Sequence, residues 1–309
     1  MSTLILSIGG LGNQLFQLAA GLHFSETKNL ILDYSVHSKG IEGSKDLSEF
    51  VLPRRLQIMH SFKFSLFQKR IINLCIRMSS LVSDNAITKN LGRRLISILQ
   101  SFLGLIYPGK WTVNHGIGLD ANYDFARTNF HIGYFQTYRY FDNPDVRKTM
   151  RRLTLRDPSE AFKKNRAELA NLDSLVVHVR LGDYRSETKF GMPSMTYFHD
   201  SILGLWSENT FSRISLFSNE LDEATEYIPN YLREYLWTPN ENLITTAETL
   251  ELMRCGSAYV LSNSSFSWWA AALSHVEAPS VIYPLPWFQK ISDPIELIPK
   301  DWIGKPSTS

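Results

Sequence analysis

The sequence predicts an α/β protein with two doubly wound domains, each built on a mainly parallel sheet. Three observations favour this class. A short apolar run at the N-terminus leads into a glycine-rich turn and then a helical pattern. The second half of the chain alternates strand-length apolar runs with helical stretches. The 309 residues allow one large domain or two of ordinary size, and a change of pattern near residue 171 favours two.

The first predicted strand covers residues 4–8 and is followed by the turn Gly9-Gly-Leu-Gly-Asn-Gln14. Apolar residues at helical spacing come directly after the turn. A strand, a glycine-rich turn and a helix in this order present backbone N–H groups and a helix N-terminus to an anion or a polar ligand. The turn is therefore a candidate part of a binding site. The alternative is a tight turn that opens an ordinary α/β unit.

The same turn imitates a dinucleotide-binding fingerprint. Gly10-x-Gly12 is followed about 20 residues later by Asp33, an acid at the end of a predicted strand over 30–32. Leu15 occupies the position of the third glycine, where it would obstruct close packing of helix and strand. This departure argues against a nicotinamide-dependent oxidoreductase.

Residues 51–110 form a basic segment in an otherwise acidic chain. They contain ten Lys or Arg residues and one acid, a net charge of +9, which leaves −7 for the remainder. Apolar residues at helical spacing run from Phe67 to Leu81, and a second basic, apolar helix is predicted over 93–105. Such helices are typical of peripheral contact with an anionic membrane. The alternative is that both apolar stripes pack into their own domain and the charges are solvated.

The segment between the basic insertion and residue 171 completes the first predicted domain. Its predicted elements are strands over 111–113 and 129–132, an aromatic-rich segment over 133–141, and helices over 144–152 and 158–169. The aromatic segment is typical either of a sugar platform or of ordinary core packing. A polar stretch ends the last helix, so we place the domain boundary between residues 171 and 172.

The second half consists of repeated β-α units, which predict a doubly wound parallel sheet. The predicted strands are 175–179, 214–217, 258–261 and 280–283, and the predicted helices are 196–208, 220–227, 247–255 and 265–274. In open sheets of this kind ligands bind at the carboxyl ends of the strands. Polar groups follow three of these strands, as His178-Val-Arg-Leu-Gly-Asp183, Ser218-Asn-Glu220 and Ser262-Asn-Ser-Ser-Phe-Ser-Trp-Trp269.

These strand ends predict a site for a pyrophosphate. Arg180 supplies a guanidinium fork suited to phosphate or carboxylate. Ser264 or Ser265 is a candidate N-cap, and the same hydroxyls and helix N-terminal amides would receive a phosphate. The alternative is that Arg180 and Asp183 form a buried ion pair and the serines only cap the helix.

Composition narrows the functional classes further. The net charge of +2 does not indicate a nucleic-acid partner. The two cysteines, Cys75 and Cys255, predict reduced cytosolic thiols and exclude a Cys-based metal site by their number. The N-terminus does not resemble a signal peptide, and no apolar stretch has the length of a transmembrane helix. We expect a cytoplasmic protein, peripheral at the inner face of the cytoplasmic membrane through residues 51–110.

We expect the site to work without a metal or other cofactor. The chain contains no Asp-x-Asp and no His/Asp/Glu cluster with metal-ligand spacing. A nucleoside diphosphate leaving from this site would then be stabilised by Arg180 and by helix dipoles.

Four segments of the chain resemble the α-1,2-fucosyltransferase family, the galactoside 2-α-L-fucosyltransferases of glycosyltransferase family 11, and occur in the same order. They are Ile8-Gly-Gly-Leu-Gly-Asn-Gln-Leu-Phe-Gln17, Tyr134-Phe-Gln136, His178-Val-Arg-Leu-Gly-Asp-Tyr184 and Asn263-Ser-Ser-Phe-Ser-Trp-Trp-Ala270. The resemblance runs from about residue 5 to residue 303 and is weakest in the basic segment.

The resemblance implies a GT-B architecture, with two Rossmann-like doubly wound domains facing across a cleft. Residues 1–171 would form the acceptor-side domain and residues 172–309 the GDP-fucose-binding domain. The implied reaction is metal-independent, inverting transfer of L-fucose from GDP-β-L-fucose to the 2-hydroxyl of a terminal galactose. The acceptor would be an oligosaccharide or a lipid-linked glycan.

The resemblance also implies roles for individual residues. Arg180 would bind the donor β-phosphate, and His178 and Asp183 would line or brace its loop. The predicted donor-binding residues are Arg180, Ser218, Asn263, Ser264, Ser265 and Phe266, and the predicted glycine loop facing the cleft comprises Gly10, Gly12, Asn13 and Gln14. Many relatives have a second arginine where Leu181 stands here, so the phosphate role falls on Arg180, with Arg185 as a candidate to compensate.

The residue that removes the proton of the acceptor hydroxyl stays open at this point. Asp183 is the carboxylate nearest to the arginine motif, and His23 and Asp33 are candidates from the first domain. Two alternative functions also stay open, a fucosyltransferase of another linkage and a non-catalytic protein that binds a sugar nucleotide or a glycan.

Overall fold

The structure, a computed structural model, describes residues 3–25, 29–35, 46–59, 64–79, 86–106, 110–114, 116–120, 123, 130–170, 172–186, 190–240 and 243–308. The chain divides into two compact units. Unit 1 comprises Met1–Leu153 and Pro294–Pro299, and unit 2 comprises Thr154–Asp293 and Lys300–Ser309.

The division lies earlier in the chain than the boundary we placed at residues 171 and 172, because the helix Glu160–Leu169 packs on unit 2. Two hydrogen bonds attach this helix and its cap there. The Ser159 amide donates to Glu248 at 2.5 Å, and the Trp237 indole donates to Glu168 at 2.8 Å.

Unit 1 contains a parallel sheet with helices on both faces. Its described elements are β1 Thr3–Leu6, α1 Leu11–Phe24, β2 Leu30–Asp33, a 3₁₀ turn Asp46–Glu49, β3 Leu56–Met59, α2 Leu66–Ser79, α3 Ala86–Ile106, β4 Trp111–Val113, β5 Phe130–Ile132, α4 Tyr138–Asp142 and α5 Pro144–Arg151. The strand order in these residues is β3-β2-β1-β5-β4.

Strand β1 is buried along its whole length because both of its faces are covered. Leu4 and Leu6 belong to the core beneath α2 and α3. Ile5 points to the other face, where a Cβ added at Gly21 of α1 would lie 3.0 Å from it. This burial explains why an uninterrupted apolar run, without polar alternation, was the correct strand signal.

A short segment far along the chain returns to unit 1. The backbone oxygen of Glu296 accepts hydrogen bonds from the Thr137 hydroxyl at 2.7 Å and the Tyr138 amide at 2.8 Å. These bonds satisfy the N-terminal end of α4, so residues 294–299 are structurally part of unit 1.

Unit 2 contains a second parallel sheet with the order β11-β10-β9-β6-β7-β8 in the described residues. Its described elements are α6 Glu160–Leu169, β6 Ser174–Val179, α7 Asp183–Ser186, α8 Met195–Glu208, β7 Arg213–Ser218, α9 Leu221–Ala224, 3₁₀ turns Thr225–Tyr227 and Asn230–Tyr235, β8 Leu236–Trp237, α10 Thr246–Met253, β9 Ala258–Val260, α11 Ser265–Ala272, β10 Ser280–Leu285 and β11 Ile303–Pro306.

The two faces of the unit 2 sheet are covered by different helices. Leu175, Val177 and Val179 of β6 belong to one core with Tyr197 and Phe198 of α8. On the opposite face Val176 lies close to Gly256, at the end of α10, where an added Cβ would come within 2.5 Å of Val176. The doubly wound sheet predicted for this half is therefore confirmed.

The sequence patterns did not predict three of the strands, β3, β8 and β11. β8 has two residues, β3 carries an exposed glutamine, and β11 contains Gly304 and Pro306. Glycine and proline are poor strand signals, and β11 is recognised only through its pairing with β10. The two helices predicted in the basic insertion are present, and α3 is longer than expected.

Both cysteines are free thiols, and burial raises the pKa of the Cys75 thiol to about 12. Within the described residues, no helix has the length and hydropathy that crossing a bilayer requires.

Candidate active site

The candidate site of unit 2 lies where the strand order reverses direction. The chain continues from β6 outward to β7, and from β9 outward to β10, while β6 and β9 are hydrogen-bonded neighbours. Ligands of doubly wound sheets bind in the crevice at such a switch point, at the carboxyl ends of the strands. Arg180 follows β6 and Ser262-Asn-Ser264 follows β9, so the topology brings these two predicted segments together.

The loop after β6 is held by the neighbouring strand end. The Leu181 amide donates a hydrogen bond to Asn219 Oδ1 at 2.9 Å. Gly182 has φ +47°, and a Cβ at this position would overlap the Asn219 amide. The amides of Tyr184 and Arg185 then bond to the oxygens of Leu181 and Gly182, which starts α7. Asn219 is thus a positioning residue, which the sequence placed at one of the polar strand ends without a role of its own.

Replacing Gly182 by alanine is expected to disturb this loop more than the fold. A left-handed alanine costs on the order of 1–2 kcal/mol, and its Cβ would displace Asn219 from Leu181. Misplacement of Arg180 by about 1 Å would lower kcat/KM roughly 10-fold to 100-fold. Steady-state kinetics and thermal melts of Gly182→Ala measure both effects. The matched control is Gly204→Ala in α8, where an added Cβ meets only the flexible end of Lys305 at 3.0 Å; wild-type kinetics in both variants would contradict the expectation.

Arg180 is partly exposed and lies against an aromatic ring. Its guanidinium carbon is 5.9 Å from the centroid of the Tyr184 ring, within the range of a cation–π contact. The Tyr184 hydroxyl in turn donates to the Asn263 backbone oxygen at 3.1 Å. The tyrosine therefore connects the arginine to the turn that precedes α11.

His178 connects the carboxyl ends of β6 and β9. Its side chain is buried, and Nδ1 lies 2.7 Å from Ser262 Oγ, so the two share a hydrogen bond across β6 and β9. Burial, and to a smaller extent the positive charge of Arg180, lower the pKa of His178 to about 3. A neutral imidazole of such low basicity supports the bracing role implied by the sequence and is a weak proton acceptor at neutral pH.

The turn before α11 presents a helix N-terminus at the same edge. Ser264 is the N-cap, and its hydroxyl accepts from the Phe266 amide at 3.3 Å. Ser267 is buried and donates to the backbone oxygens of Ser262 and Ser264 at 3.3 and 3.1 Å. Ser265 and Phe266 are partly exposed. The capping interpretation of the serines is thus correct for Ser264, while Ser265 is partly exposed at the first residue of the helix.

Two other predicted donor residues are buried and bonded to nearby backbone. Ser218 Oγ accepts from the Glu220 amide at 3.0 Å. The Asn263 amide donates to the oxygens of Phe190 and Gly191 at 3.1 and 2.9 Å. Both side chains therefore shape the loops around the crevice, and their contact with a donor stays a prediction.

The structure describes the side chain of only one of the two charged residues that follow Arg180, Asp183 and Arg185. The side chain of Asp183 lies outside the described part of the chain, so its role as base or brace stays a prediction. Arg185 is exposed and ion-paired with Glu220 at 2.7 Å and with Glu223. Arg185, which the sequence suggested as a substitute for the missing second arginine, is therefore already ion-paired with two carboxylates.

The glycine turn of unit 1 has a left-handed Gly9, φ +75°, and brings the amides of Asn13 and Gln14 onto the Gly10 oxygen. Gln14 is fully buried, donating to the Gly9 oxygen at 3.0 Å and accepting from the Tyr34 hydroxyl at 2.8 Å. These bonds hold the Gln14 side chain inside the unit, and the position of the glycine loop at a cleft stays a prediction. Asn13 is partly exposed, Gly10 is exposed and Gly12 is buried.

Two glutamines connect this turn to β5, and sequence reasoning gave neither a role. Gln17 is buried and bonds to both the amide and the oxygen of Ile8, at 3.2 and 3.1 Å, and to the Gly133 oxygen at 3.1 Å. Gln136 donates to Asn13 Oδ1 at 2.8 Å. Both glutamines lie inside segments that resemble the fucosyltransferases, so the motifs could have indicated that they matter. Their hydrogen-bond partners could be identified only from the tertiary structure.

The two candidate bases of unit 1 are poorly placed for that role. Asp33 is completely buried and accepts from the Ser35 amide at 2.8 Å. His23 lies at the last turn of α1, ten residues beyond Asn13, which is about 15 Å along a helix. There it packs beside Phe24 and Tyr140 at the end of the unit away from the glycine turn.

A pocket of about 600 Å³ opens beside His23, lined also by Arg54, Arg55 and Asp145. It adjoins the start of β2 and the end of α1, and so lies at the amino ends of the strands. In the described residues no group of three or more His, Cys, Asp or Glu side chains is arranged to hold a metal ion.

The comparison with protein families decides the class. The model of glycosyl transferase family 11 matches residues 4–304. The chain belongs to this family. The resemblance noted in the four sequence motifs is thereby confirmed, and the chain is a glycosyltransferase.

Two curated relatives come from Escherichia coli. The chain is 26% identical over 305 residues to an alpha-1,2-colitosyltransferase, covering 96% of both chains. It is 29% identical over 140 residues to the O-antigen biosynthesis glycosyltransferase WbnK, covering 44% of this chain and 45% of the relative.

Two solved structures share the fold. Fucosyltransferase NodZ from Bradyrhizobium matches with a TM-score of 0.50 at 14% identity, over 88% of this chain and 92% of that one. The E. coli ADP-heptose lipopolysaccharide heptosyltransferase II matches with a TM-score of 0.50 at 9% identity, over 99% and 90%. Both are GT-B-type enzymes, so the predicted GT-B class with two parallel α/β domains is confirmed.

Proposed function

We propose that this glycosyltransferase moves L-fucose from GDP-β-L-fucose to the 2-hydroxyl of a terminal galactose, with inversion at the anomeric carbon. The single observation that supports the proposal most directly lies at the switch point of unit 2. There Arg180 lies over the Tyr184 ring, and the Tyr184 hydroxyl is hydrogen-bonded to the turn that precedes α11. A guanidinium fork and a helix N-terminus at one sheet edge suit a nucleoside diphosphate. Within family 11, that ligand would be the leaving group of the donor.

The reaction is a single displacement. The oxygen of the acceptor hydroxyl forms a bond to the anomeric carbon while the bond from that carbon to the phosphate oxygen breaks, and GDP leaves with the electron pair. Attack opposite a β-linked leaving group yields the α-linked product. The acceptor proton passes to a general base, for which Asp183 remains the candidate.

The chain's own contribution is to stabilise charge that develops on the departing phosphate. Arg180 is held by the Tyr184 ring, the Asn219–Leu181 bond fixes its loop, and His178 holds β6 against β9. A positioned cation of this kind needs little reorganisation as the bond breaks, which is the usual source of such stabilisation. We propose that this arrangement, with the α11 N-terminus, works without a metal.

A second donor is favoured by one comparison. The relative that matches 96% of the chain is named an alpha-1,2-colitosyltransferase. Colitose is the 3-deoxy counterpart of fucose, so both sugars present the same anomeric centre to the same kind of diphosphate clamp. GDP-colitose is therefore the alternative donor, with the α-1,2 linkage common to both proposals.

The test is a matrix of GDP-fucose, GDP-colitose and GDP-mannose against oligosaccharides that end in β-galactose, with the product linkage determined by NMR. We expect an α-1,2-linked product, and a preferred donor whose kcat/KM exceeds that of the others by at least about tenfold. A galactoside with a 2-deoxy terminal residue is the matched control and should give no product.

Each other outcome removes a defined part of the proposal. Transfer to a hydroxyl other than O2 would contradict the linkage. Faster transfer of colitose would replace fucose as the donor. GDP binding without turnover on any galactoside would favour the non-catalytic alternative.

A further inference from the structure

The two helices of the basic insertion carry apolar side chains on their outer face. In α3, Leu91, Leu95, Ile98, Phe102 and Leu105 are all exposed, by 41–83%. Their spacing of four, three, four and three residues places them in one stripe along the helix. A different stripe, which includes Ile96 and Leu103, is buried in the unit 1 core. The exposed stripe is therefore additional to the face that α3 needs for folding.

Helix α2 extends the same surface. Phe67 and Leu74 are exposed by 57% and 46%, while Ile72 and Cys75 of the same helix are buried. The rings of Phe67 and Phe102 lie 6.0 Å apart in an edge-to-face contact. The apolar residues of α2 and α3 thus form one continuous patch, which we call the α2–α3 patch.

The charge at the α2–α3 patch has one sign. The two helices contain six Lys or Arg residues and no Asp or Glu. Arg70 and Arg77 of α2 and Arg94 of α3 are exposed and lie on the helix faces next to the apolar stripes. The remainder of the protein outside residues 51–110 carries −7, and six of the ten basic residues of that segment belong to these two helices.

We infer that the α2–α3 patch docks on an anionic lipid bilayer, with the apolar side chains entering the headgroup region and the arginines contacting the lipid phosphates. Amphipathic helices with basic flanks bind such surfaces through both contributions. A second copy of the chain is a poorer occupant, because a two-fold contact would place like-charged arginines against each other. The inference does not depend on which sugar the enzyme transfers.

The experiment is co-sedimentation of the 309-residue protein with vesicles of phosphatidylethanolamine and phosphatidylglycerol, compared with phosphatidylcholine vesicles. We expect binding to the anionic vesicles that falls by at least about tenfold between 50 mM and 500 mM salt. Each arginine at such a surface contributes about a fivefold change in affinity, so Arg70→Gln with Arg94→Gln should weaken binding about 25-fold. The charge-matched control is Arg156→Gln with Lys164→Gln, on the exposed surface of unit 2.

The apolar contribution is tested by Ile98→Ser with Leu105→Ser, at side chains exposed by 64% and 83%. We expect about tenfold or greater loss of vesicle binding and an unchanged thermal melt, because neither side chain is part of the core. Leu243→Ser, at a 60% exposed leucine of unit 2, is the control and should bind like wild type. Equal binding to neutral vesicles, or no effect of salt, would overturn the inference. A dimer in sedimentation velocity that Ile98→Ser with Leu105→Ser dissociates, without vesicle binding, would assign the patch to self-association instead.

Discussion

Arg180→Ala is expected to lower kcat about 100-fold to 1000-fold, the usual cost of removing one donor that stabilises developing charge. The physical reason is that the guanidinium follows β6 at the switch point and is connected through Tyr184 to the turn before α11, where the leaving diphosphate is proposed to bind. GDP affinity should fall as well, since the same cation contacts the ground state. Steady-state kinetics with the preferred donor and calorimetric GDP binding measure the two effects.

Two further variants separate catalysis from folding. Arg180→Lys keeps the charge but loses the planar fork, so we expect an intermediate kcat. Arg185→Ala removes a neighbouring cation that is already paired with Glu220 and Glu223, and it should keep kcat within about threefold of wild type. All three variants should melt near the wild-type temperature. Near-wild-type kcat and GDP affinity in Arg180→Ala would show that the phosphate role is wrong.

Acid is expected to destabilise unit 2 through His178. In the unfolded chain this imidazole gains a proton below its ordinary pKa near 6.5, whereas burial holds its pKa at about 3 in the folded protein. Between these values the unfolded state binds more protons, so the free energy of unfolding falls as the pH falls. By pH 4 the loss from this residue is about 3 kcal/mol, from about 1.4 kcal/mol for each pH unit.

Urea unfolding followed by tryptophan fluorescence at pH 7.5, 6, 5 and 4 measures this loss. Six of the seven tryptophans lie in unit 2, so the signal reports mainly on that unit. Carboxylates also titrate in this range, and His178→Gln is the control that lacks only the imidazole. The stability difference between wild type and His178→Gln should shrink as the pH is lowered. Parallel stability curves down to pH 4 would contradict a buried, neutral His178.

The local patterns of the chain were sufficient for much of the fold. Val176, Val177 and Val179 form a β-branched run that is buried on both faces in the structure, as such a run predicts. The glycine turn before α1 and the N-cap Ser264 of α11 are also present where the sequence predicts them. These features depend on residues within a few positions of each other, so a sequence window contains their causes.

Other features depend on partners that are far away in the chain. The strand β11 pairs with β10, and residues 294–299 return to unit 1, where Glu296 accepts from Thr137. Helix α6 belongs to unit 2 because Glu248 and Trp237 bond to it and its cap. Periodicity contains no information about such contacts, which is why the boundary differs from the one expected.

In the candidate site, the sequence shows which side chains are present, whereas their surroundings depend on the tertiary structure. The sequence by itself determined that an arginine, a histidine and a serine-rich helix start follow neighbouring buried strands, and that this order of motifs belongs to a glycosyltransferase family. Only the tertiary structure decided which of them is accessible: Gln14, Ser218 and Asn263 are buried in bonds to nearby groups, whereas Arg180 and Ser265 remain partly exposed. The outer face of α3 is apolar for a similar reason, since periodicity identifies an apolar stripe but only packing determines which stripe is covered.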